Sequence, residues 1–234
     1  DMEYVPVISL SFNGIEKFSG FKLTAPMLYK GIISIVYGDM LMLLKNQVRP
    51  YEVNEGETDA LVEKWVDELI SQFKHNKGII GKSIRKNLGR IVEDFHNIQR
   101  KDVKKIKVGV VGEIYVKYSP FGNNNLEDFL AAQDCEVMIP GVLPFVQYCF
   151  SDFGMDYELY GGSRFSRVAG LITEKMASYV EKMMINALKD YPEFVTPSSF
   201  KEISQMADKV IHRGTKMGEG WLLTAEILEL IEAG

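Results

Sequence analysis

Cysteine is scarce in this 234-residue chain, which contains only Cys135 and Cys149. Neither belongs to a CxxC pair, and both lie in apolar segments. This setting predicts two buried, reduced thiols rather than a disulfide framework, and it favours a reducing compartment such as the cytoplasm. Because a cluster usually takes about four thiolates, we expect no iron–sulfur cofactor within this chain.

An excess of positive charge is also missing, since the formal net charge is −5 at pH 7. Proteins that bind nucleic acid or anionic membranes in general carry a basic surface, so neither partner is expected. The first residues, DMEYVPVISL, lack the basic region of a signal peptide and instead lead into an apolar, β-rich strand predicted at 5–12. We therefore expect the chain to be a piece of a larger cytoplasmic protein.

Familiar catalytic motifs are absent: the sequence contains no HExxH, no GxSxG and no P-loop. Its three histidines, His75, His96 and His212, are far apart and have no neighbours at metal-ligand spacing. Surface or capping roles are the simplest interpretation of these histidines, and no metal site is predicted.

One apolar run, residues 25–44, is long enough to cross a bilayer. Lys30 and Asp39 interrupt it, and an aspartate at a membrane centre costs about 2.5–3.5 kcal/mol. The run therefore predicts a buried helix at about 26–46 in the core of a soluble domain.

Helical periodicity dominates the rest of the chain. Residues 54–73 predict an amphipathic helix, with Thr58 as a plausible N-cap and an apolar face that includes Trp65, Val66 and Ile70. The other predicted helices cover 82–99, 143–152, 163–191, 198–211 and 220–233.

Two of these helices carry further local signals. In the helix at 198–211, Glu202 follows Ser199 by three residues, which predicts a capping box. The helix at 82–99 is expected to place its apolar residues on one face: Ile84, Leu88, Ile91, Val92 and Phe95.

A change of character at residue 104 marks the α/β part of the sequence. A β-branched strand at 104–116 is followed by a loop at 119–125, a helix (LEDFLAAQ) and a second strand (CEVMIP). This order predicts two parallel strands joined by a right-handed crossover. The fold class expected is therefore α/β, helix-rich, with a small parallel Rossmann-like sheet flanked by helices. Regions 1–103 and 104–234 are expected to pack as one unit.

The loop at 112–125 is the main candidate site, because open α/β sheets bind ligands at the carboxyl ends of their strands. On the predicted strand Glu113, Tyr115 and Lys117 would share one face, while Tyr118 would point to the other. Glycines would let the backbone approach a ligand, and the helix opening after Asn124 would favour an anionic group such as a CoA phosphate. Ordinary turn chemistry, with Asn124 and Glu127 capping that helix, is the competing interpretation. The candidate ligand-binding residues are Gly112, Glu113, Tyr115, Lys117, Gly122, Asn123 and Asn124.

A second glycine-rich segment, HRGTKMGEGW at 212–221, also precedes a predicted helix. Its backbone N–H groups could receive an anion, but Glu219 opposes that role. A tight turn or hinge is the favoured interpretation.

Four stretches of the sequence resemble one protein family: VPVISLSFNGIEKFSGFKL, YGDMLMLLKNQVRPYEVNEGETDALVEKW, VGVVGEIYVKYSPFGNNNLEDFL and KMGEGWLLTAEILELIEAG. They are similar to the 2-hydroxyacyl-CoA dehydratases and their ATP-dependent activators, and most similar to the dehydratase-like C-terminal region of the large activase-related proteins. The resemblance covers nearly the whole chain.

This resemblance implies a system in which an activator uses ATP to transfer an electron to an iron–sulfur protein, which then dehydrates a 2-hydroxyacyl-CoA. The cluster would be held by cysteines outside this stretch, in the full-length protein. The expected partners are other modules of the same polypeptide or an ATPase component, together with a possible CoA ester. Two alternatives stay open: a non-catalytic docking domain that couples an ATPase to its electron acceptor, and a free-standing nucleotide-binding domain.

Overall fold

The computed structural model describes residues 24–215 and 218–233, and the strand predicted at 5–12 lies outside them. Within the described residues the chain forms helices around one short parallel sheet. In chain order the elements are α1 (Ala25–Val48), a 3-10 turn (Arg49–Tyr51), α2 (Glu57–Lys74), α3 (Gly81–His96), β1 (Ile106–Gly109), α4 (Ile114–Tyr118), α5 (Pro120–Asn123), α6 (Leu126–Ala132), β2 (Cys135–Met138), α7 (Leu143–Tyr160), α8 (Arg164–Leu188), α9 (Phe200–Ala207) and α10 (Gly220–Ala233).

The two strands pair in parallel, with Ile106 opposite Cys135 and Gly109 opposite Met138. Helices α4, α5 and α6 connect them, because parallel strands cannot be joined by a tight hairpin. The predicted strand–helix–strand unit and the helix-rich fold with a small, helix-flanked parallel sheet are therefore confirmed.

The first strand is much shorter than the 104–116 predicted, because β1 ends at Gly109. Glu113 instead caps α4, and its carboxylate accepts a hydrogen bond from the Tyr115 N–H at 3.0 Å. The run IYV at 114–116 consists of residues that favour strands, yet it is helical, since a capped turn and tertiary contacts override this propensity. The prediction that Glu113, Tyr115 and Lys117 share a strand face was wrong for this reason.

Helices α1, α2 and α3 build the larger hydrophobic core, together with the second half of α8. Trp65, Leu88 and Phe95 are among its fully buried members, in agreement with the predicted helical spacing. Val66 and Ile70 were also predicted on the buried face but are exposed. Helix α2 therefore buries a narrower stripe than its sequence indicates.

Thr58 is not the N-cap of α2, because that helix begins at Glu57 and its N-cap is Gly56, two residues before the predicted cap. The carboxylate of Glu52 accepts hydrogen bonds from the N–H groups of Gly56 and Thr58, at 2.7 and 2.8 Å. A residue outside the helix thus satisfies its free donors.

Helix α7 extends well beyond the predicted 143–152 and pairs with α8 over its length. It ends at Tyr160 and is followed by Gly161, whose φ of +72° is the left-handed conformation common at helix C-termini. The predicted capping box of α9 is confirmed, since Ser199 and Glu202 exchange side-chain-to-backbone hydrogen bonds. The helix itself is shorter than the 198–211 predicted.

The predicted start of α10 at Gly220 is confirmed, and its first turn enters a smaller hydrophobic core with α9. Trp221 is fully buried there against Tyr148 and Phe200. Farther along the same helix, Ile227 and Ile231 are exposed. The helix thus buries only part of its apolar surface within the described residues.

Helix α1 with the turn that follows it (Ala25–Tyr51) is the one described helix long and apolar enough to cross a membrane. Of its most apolar window, 44% is buried inside the fold. Its buried residues include Ile33, Val36, Met40 and Leu44, which contribute to the larger core. This arrangement is compatible with the core helix of a soluble protein.

Candidate functional site

The carboxyl end of the sheet holds a buried ion pair. The Lys117 ammonium on α4 donates to both carboxylate oxygens of Glu226 on α10, at 2.6 and 2.7 Å. Lys117 is 2% exposed and Glu226 is 0% exposed. A pair removed from water in this way persists only when both partners remain together.

Lys117 was expected to offer its charge to an anionic ligand in an open pocket, and the structure places it differently. Its ammonium is neutralised within the fold and lies 5.0 Å from the ring of Tyr118. An anion could reach it only by displacing Glu226. The helical conformation of residues 114–118 turns this side chain inward, which the predicted strand did not anticipate.

Asp39 of α1 forms a second buried polar contact beside this pair. Its two carboxylate oxygens accept from the N–H groups of Val142 and Leu143, each at 2.8 Å. The carboxylate thereby satisfies donors at the start of α7. Burial raises the pKa of Asp39 to about 6, against the lowering effect of these two hydrogen bonds and of Lys117.

Tyr118 and Gly141 complete this contact region. The Tyr118 hydroxyl donates to the carbonyl oxygens of Pro140 and Gly141, at 2.7 and 2.8 Å. A Cβ at position 141 would lie 2.7 Å from the Asp39 carboxylate, so glycine is required for the close approach of the two chains. Segments from α1, α4 and the start of α7 are thus tied together at this end of the sheet.

Of the two glycines of the predicted loop, Gly122 is required for close packing and Gly112 is not. A Cβ at Gly122 would come within 2.8 Å of the Tyr115 ring, so this glycine lets α5 lie against α4. A Cβ at Gly112 would meet only Val116, at 3.9 Å, which is ordinary contact. Tyr115 itself is about half exposed.

The asparagines of the same loop shape the start of α6. Asn123 accepts from the Leu126 N–H at 3.1 Å and donates to the Val116 carbonyl at 2.9 Å. Asn124 and Asn125 both adopt a φ of +56°, which asparagine tolerates better than most residues. The N-cap position is Asn125 rather than the predicted Asn124, and the capping side chain is that of Asn123. The turn chemistry weighed against a ligand site is therefore present, while a ligand-binding role for the seven loop residues stays a prediction.

A cavity of about 310 Å³ lies along β2, and we call it the β2 cavity. Its walls come from α1, β2 with the turn after it, the start of α7, α8, the segment 195–198, α9 and the end of α10. Most lining side chains are apolar, such as Met42, Leu43, Val137, Met184 and Leu230. An apolar cavity with a few polar groups is the usual form of a small-molecule site.

The charged residues that line the β2 cavity are all carboxylates, and no described lysine, arginine or histidine lines it. Burial raises the pKa of Glu181 and of Glu229. Each accepts a backbone N–H from the 198–200 region, from Phe200 and Ser198 respectively, at 2.8 and 2.7 Å. The charged lining residues are Asp39, Glu136, Glu181, Glu229 and Glu232.

Asn46 supplies a hydrogen-bond donor to the same cavity, whereas the carboxylates supply acceptors. Its amide nitrogen is buried, and no described residue accepts a hydrogen bond from it. A ligand oxygen would satisfy this donor, which otherwise carries a desolvation cost. Sequence reasoning missed Asn46 and the lining carboxylates because they come from helices and a strand far apart in the chain and follow no motif.

The cysteines and histidines do not assemble a site in the described part of the chain. Cys135 and Cys149 are free and partly buried, and burial raises the pKa of the Cys149 thiol to about 11. Among the described residues no group of three potential metal ligands occurs. His75 contacts the Ser71 carbonyl at the end of α2, and His96 pairs with Glu193 at the surface. The described residues thus form no ligand set for an iron–sulfur cluster, and the expectation that this chain holds no cluster stays a prediction.

The segment at 212–221 is described except at 216 and 217. Gly218 has a φ of +56°, and its carbonyl accepts from the Tyr148 hydroxyl at 2.8 Å. Both features fit the tight turn favoured for this segment. Its anion-binding alternative stays a prediction.

Comparison with known proteins identifies no relative: no protein-family model, no curated protein and no solved structure matches the chain.

Proposed function

We propose that the chain is a domain of a 2-hydroxyacyl-CoA dehydratase-like, activase-related protein, and that it shapes part of a ligand site completed by a further polypeptide segment. The resemblance of the four sequence stretches supports the family. The β2 cavity, at a sheet that has two strands in the described part of the chain, supports the incomplete site.

The outer edge of β2 is the observation that carries this proposal. The Met138 carbonyl accepts from the Val110 N–H at 2.9 Å, so the main-chain groups of Met138 face the first strand. Because this direction alternates along a strand, those of Val137 and Ile139 face away from β1. Both residues are buried, and among the described residues none bonds to these outward groups.

Buried main-chain groups are almost always paired, so within residues 24–215 and 218–233 the outer edge of β2 lacks a neighbour. An extended segment alongside it would satisfy these groups and enlarge the sheet. With a third parallel strand the sheet would approach the Rossmann-like form expected from the sequence. In the full-length, cytoplasmic protein such a segment could also bring the cysteines of an iron–sulfur cluster.

The charges of the β2 cavity limit how a CoA ester could bind. Its lining carboxylates would repel the phosphates of the coenzyme, so only the acyl and thioester part would enter. The free amide of Asn46 would then donate to an oxygen of the acyl group. The domain would contribute binding and shape, and the reaction centre would come from the rest of the protein.

Hydrogen exchange measured residue by residue tests the open edge. The amides of Val137 and Ile139 should exchange much faster than the amide of Met138, which faces β1. Equal protection of all three amides would mean that the edge is already paired, and it would overturn the idea of an incomplete sheet.

Ligand titration tests the substrate class. A 2-hydroxyacyl-CoA should raise the melting temperature of the chain, and free CoA should not. Val195→Trp should abolish the rise by filling the cavity, because Val195 lines it, whereas Val53→Trp at an exposed site should preserve the rise. No shift at millimolar ester, or the same shift with free CoA, would count against this substrate class.

A docking domain is the second candidate function. The observation that favours it is a wide apolar face of α8 that no other described element covers. This function would not require the β2 cavity to bind a small molecule.

A further inference from the structure

Helix α8 exposes a regular row of side chains over most of its length. Six of them, at alternating spacings of three and four residues, are Phe165, Val168, Ile172, Lys175, Tyr179 and Lys182. A row with this spacing stays on one side of a helix, and it is the row along which a second helix packs. We call it the α8 seam.

The α8 seam is strongly apolar for a solvent-facing row. Phe165 is 82% exposed and Ile172 is 64% exposed, while Val168 and Tyr179 are each about half exposed. Leu171 lies beside the row and is exposed as well. Contiguous exposed apolar surface of this kind usually marks an interaction site.

The charge of the exposed α8 face is of one sign. The exposed charged residues of this helix are Arg164, Lys175 and Lys182, and none is acidic. The two glutamates of α8 do not join this face, since Glu174 is half-buried and Glu181 is buried. The whole chain nevertheless carries a net charge of −5, so this basic face is a local feature.

The two lysines of the seam favour an acidic helix over a second copy of α8 as its partner. In a parallel pair of α8 helices, Lys175 and Lys182 would each face their own copy, and in an antiparallel pair Lys175 would lie near its counterpart at the centre. Like charges placed opposite each other disfavour such an interface. A helix carrying acidic residues at the matching positions would instead pair with both lysines.

We propose that the α8 seam is a docking surface for an acidic amphipathic helix of a partner protein. The apolar residues of the partner would pack against Phe165, Val168, Ile172 and Tyr179. Its carboxylates would pair with Lys175 and Lys182. This inference concerns a surface separate from the β2 cavity and does not depend on what the cavity binds.

A pair of designed helical peptides provides the test. Both carry leucine along one face; one has glutamate at the positions facing Lys175 and Lys182, and the other has lysine there. Fluorescence anisotropy should show the glutamate peptide binding at least about tenfold more tightly than the lysine peptide, with a preference that shrinks at high salt. Equal binding of the two peptides, or no binding of either, would overturn the proposal.

Three variants distinguish docking at the α8 seam from nonspecific binding to exposed apolar side chains. Phe165→Ser should weaken binding of the glutamate peptide, whereas Phe121→Ser should leave it unchanged, although Phe121 is even more exposed at 89%. The charge-reversed double variant Lys175→Glu/Lys182→Glu should prefer the lysine peptide. Because all four positions are exposed, unchanged melting temperatures should accompany these effects, and failure of the preference to reverse would contradict charge pairing in the seam.

Two further measurements address the other occupants. Sedimentation velocity should find a monomer, and a dimer broken by Ile172→Asp would assign the seam to a second copy of this chain. Flotation with vesicles of phosphatidylserine and phosphatidylcholine in equal parts should find no binding. Vesicle binding that is lost in Phe165→Ser would assign the seam to a membrane and overturn the proposal.

Discussion

Helices α1, α2 and α3 enclose an interior of packed apolar side chains, whereas the region around β2 encloses ionisable ones. Trp65, Leu88 and Phe95 represent the first region, and Lys117 with Glu226 represents the second. Apolar packing tolerates partial change, because each lost contact has its own modest cost. A buried ion pair does not tolerate partial change, since the loss of either partner leaves the other charge buried without compensation. The two regions should therefore respond differently to substitution and to pH.

The largest expected effect is in the ionic region. Glu226→Leu should lower the free energy of unfolding by about 3–5 kcal/mol, because it leaves the buried Lys117 ammonium without a counter-charge. The double variant Lys117→Met/Glu226→Leu should recover most of that loss, since no charge then remains buried. Urea denaturation of the three proteins measures both changes, and a double variant as unstable as the single one would refute this account.

In the apolar region, a single substitution should lower the free energy of unfolding, and no second substitution should restore it as the double variant does for the ion pair. Leu88→Ala should cost about 2–5 kcal/mol through lost burial and a residual cavity. The loss should be the same at pH 5 and pH 8, because no ionisable group is involved. Ile70→Ala, at an exposed position of α2, is the matched control and should have little effect. If the free energy lost in Leu88→Ala varied with pH, the two regions would not differ in this way.

Asp39 provides a pH-dependent test where the two regions meet. Its pKa of about 6 in the fold exceeds the ordinary value of 3.8, so the folded state binds the proton more tightly than the unfolded state. The contribution of Asp39 to stability is therefore greatest below about pH 4, declines as the pH rises to about 6, and is constant above it. The full decline should be about 3 kcal/mol.

Denaturation of wild type and Asp39→Asn across this pH range isolates the effect. The stability difference between the two proteins should fall as the pH rises from 4 to 6. Asp59→Asn, at a partly exposed carboxylate of α2, controls for the general effect of removing a charge. A difference that is constant with pH would mean that Asp39 titrates normally in the fold.

The smallest effect is expected at the cap of α9. Ser199→Ala should cost about 1 kcal/mol, because the serine hydroxyl no longer accepts from the Glu202 N–H. Thermal denaturation should detect the change, while Ser71→Ala on an exposed face of α2 should not destabilise the chain. A neutral result at Ser199 would mean that packing of Phe200, rather than capping, fixes the start of α9.

The helices were the most predictable part of the molecule. The capping box at Ser199 and Glu202 and the periodic apolar residues of α3 depend on residues a few positions apart, and both were read correctly. The start of α2 was not, because its capping carboxylate comes from Glu52, outside the helix. Local signals therefore located the helices better than they located their ends.

The region around β2 was far less predictable, for a physical reason. Residues 114–118 have strand-forming composition, yet a capped turn and the contact of Lys117 with Glu226 make them helical. The β2 cavity likewise combines side chains from α1, α8 and α10, which no spacing in the sequence connects. Partners more than a hundred residues apart leave no local pattern.

The separation of Lys117 from Glu226 has a consequence for the growing chain. The two residues lie 109 positions apart, and ribosomes add about 5–20 residues per second. During synthesis Lys117 therefore waits roughly 5–20 s after its own addition before Glu226 is made. Until then its ammonium must remain in water, so α4 cannot settle into its final place, although α1, α2 and α3 already have one another to pack against. Newly made chains should thus spend this interval with an unfinished sheet, while the larger core is completed only when the second half of α8 has been added.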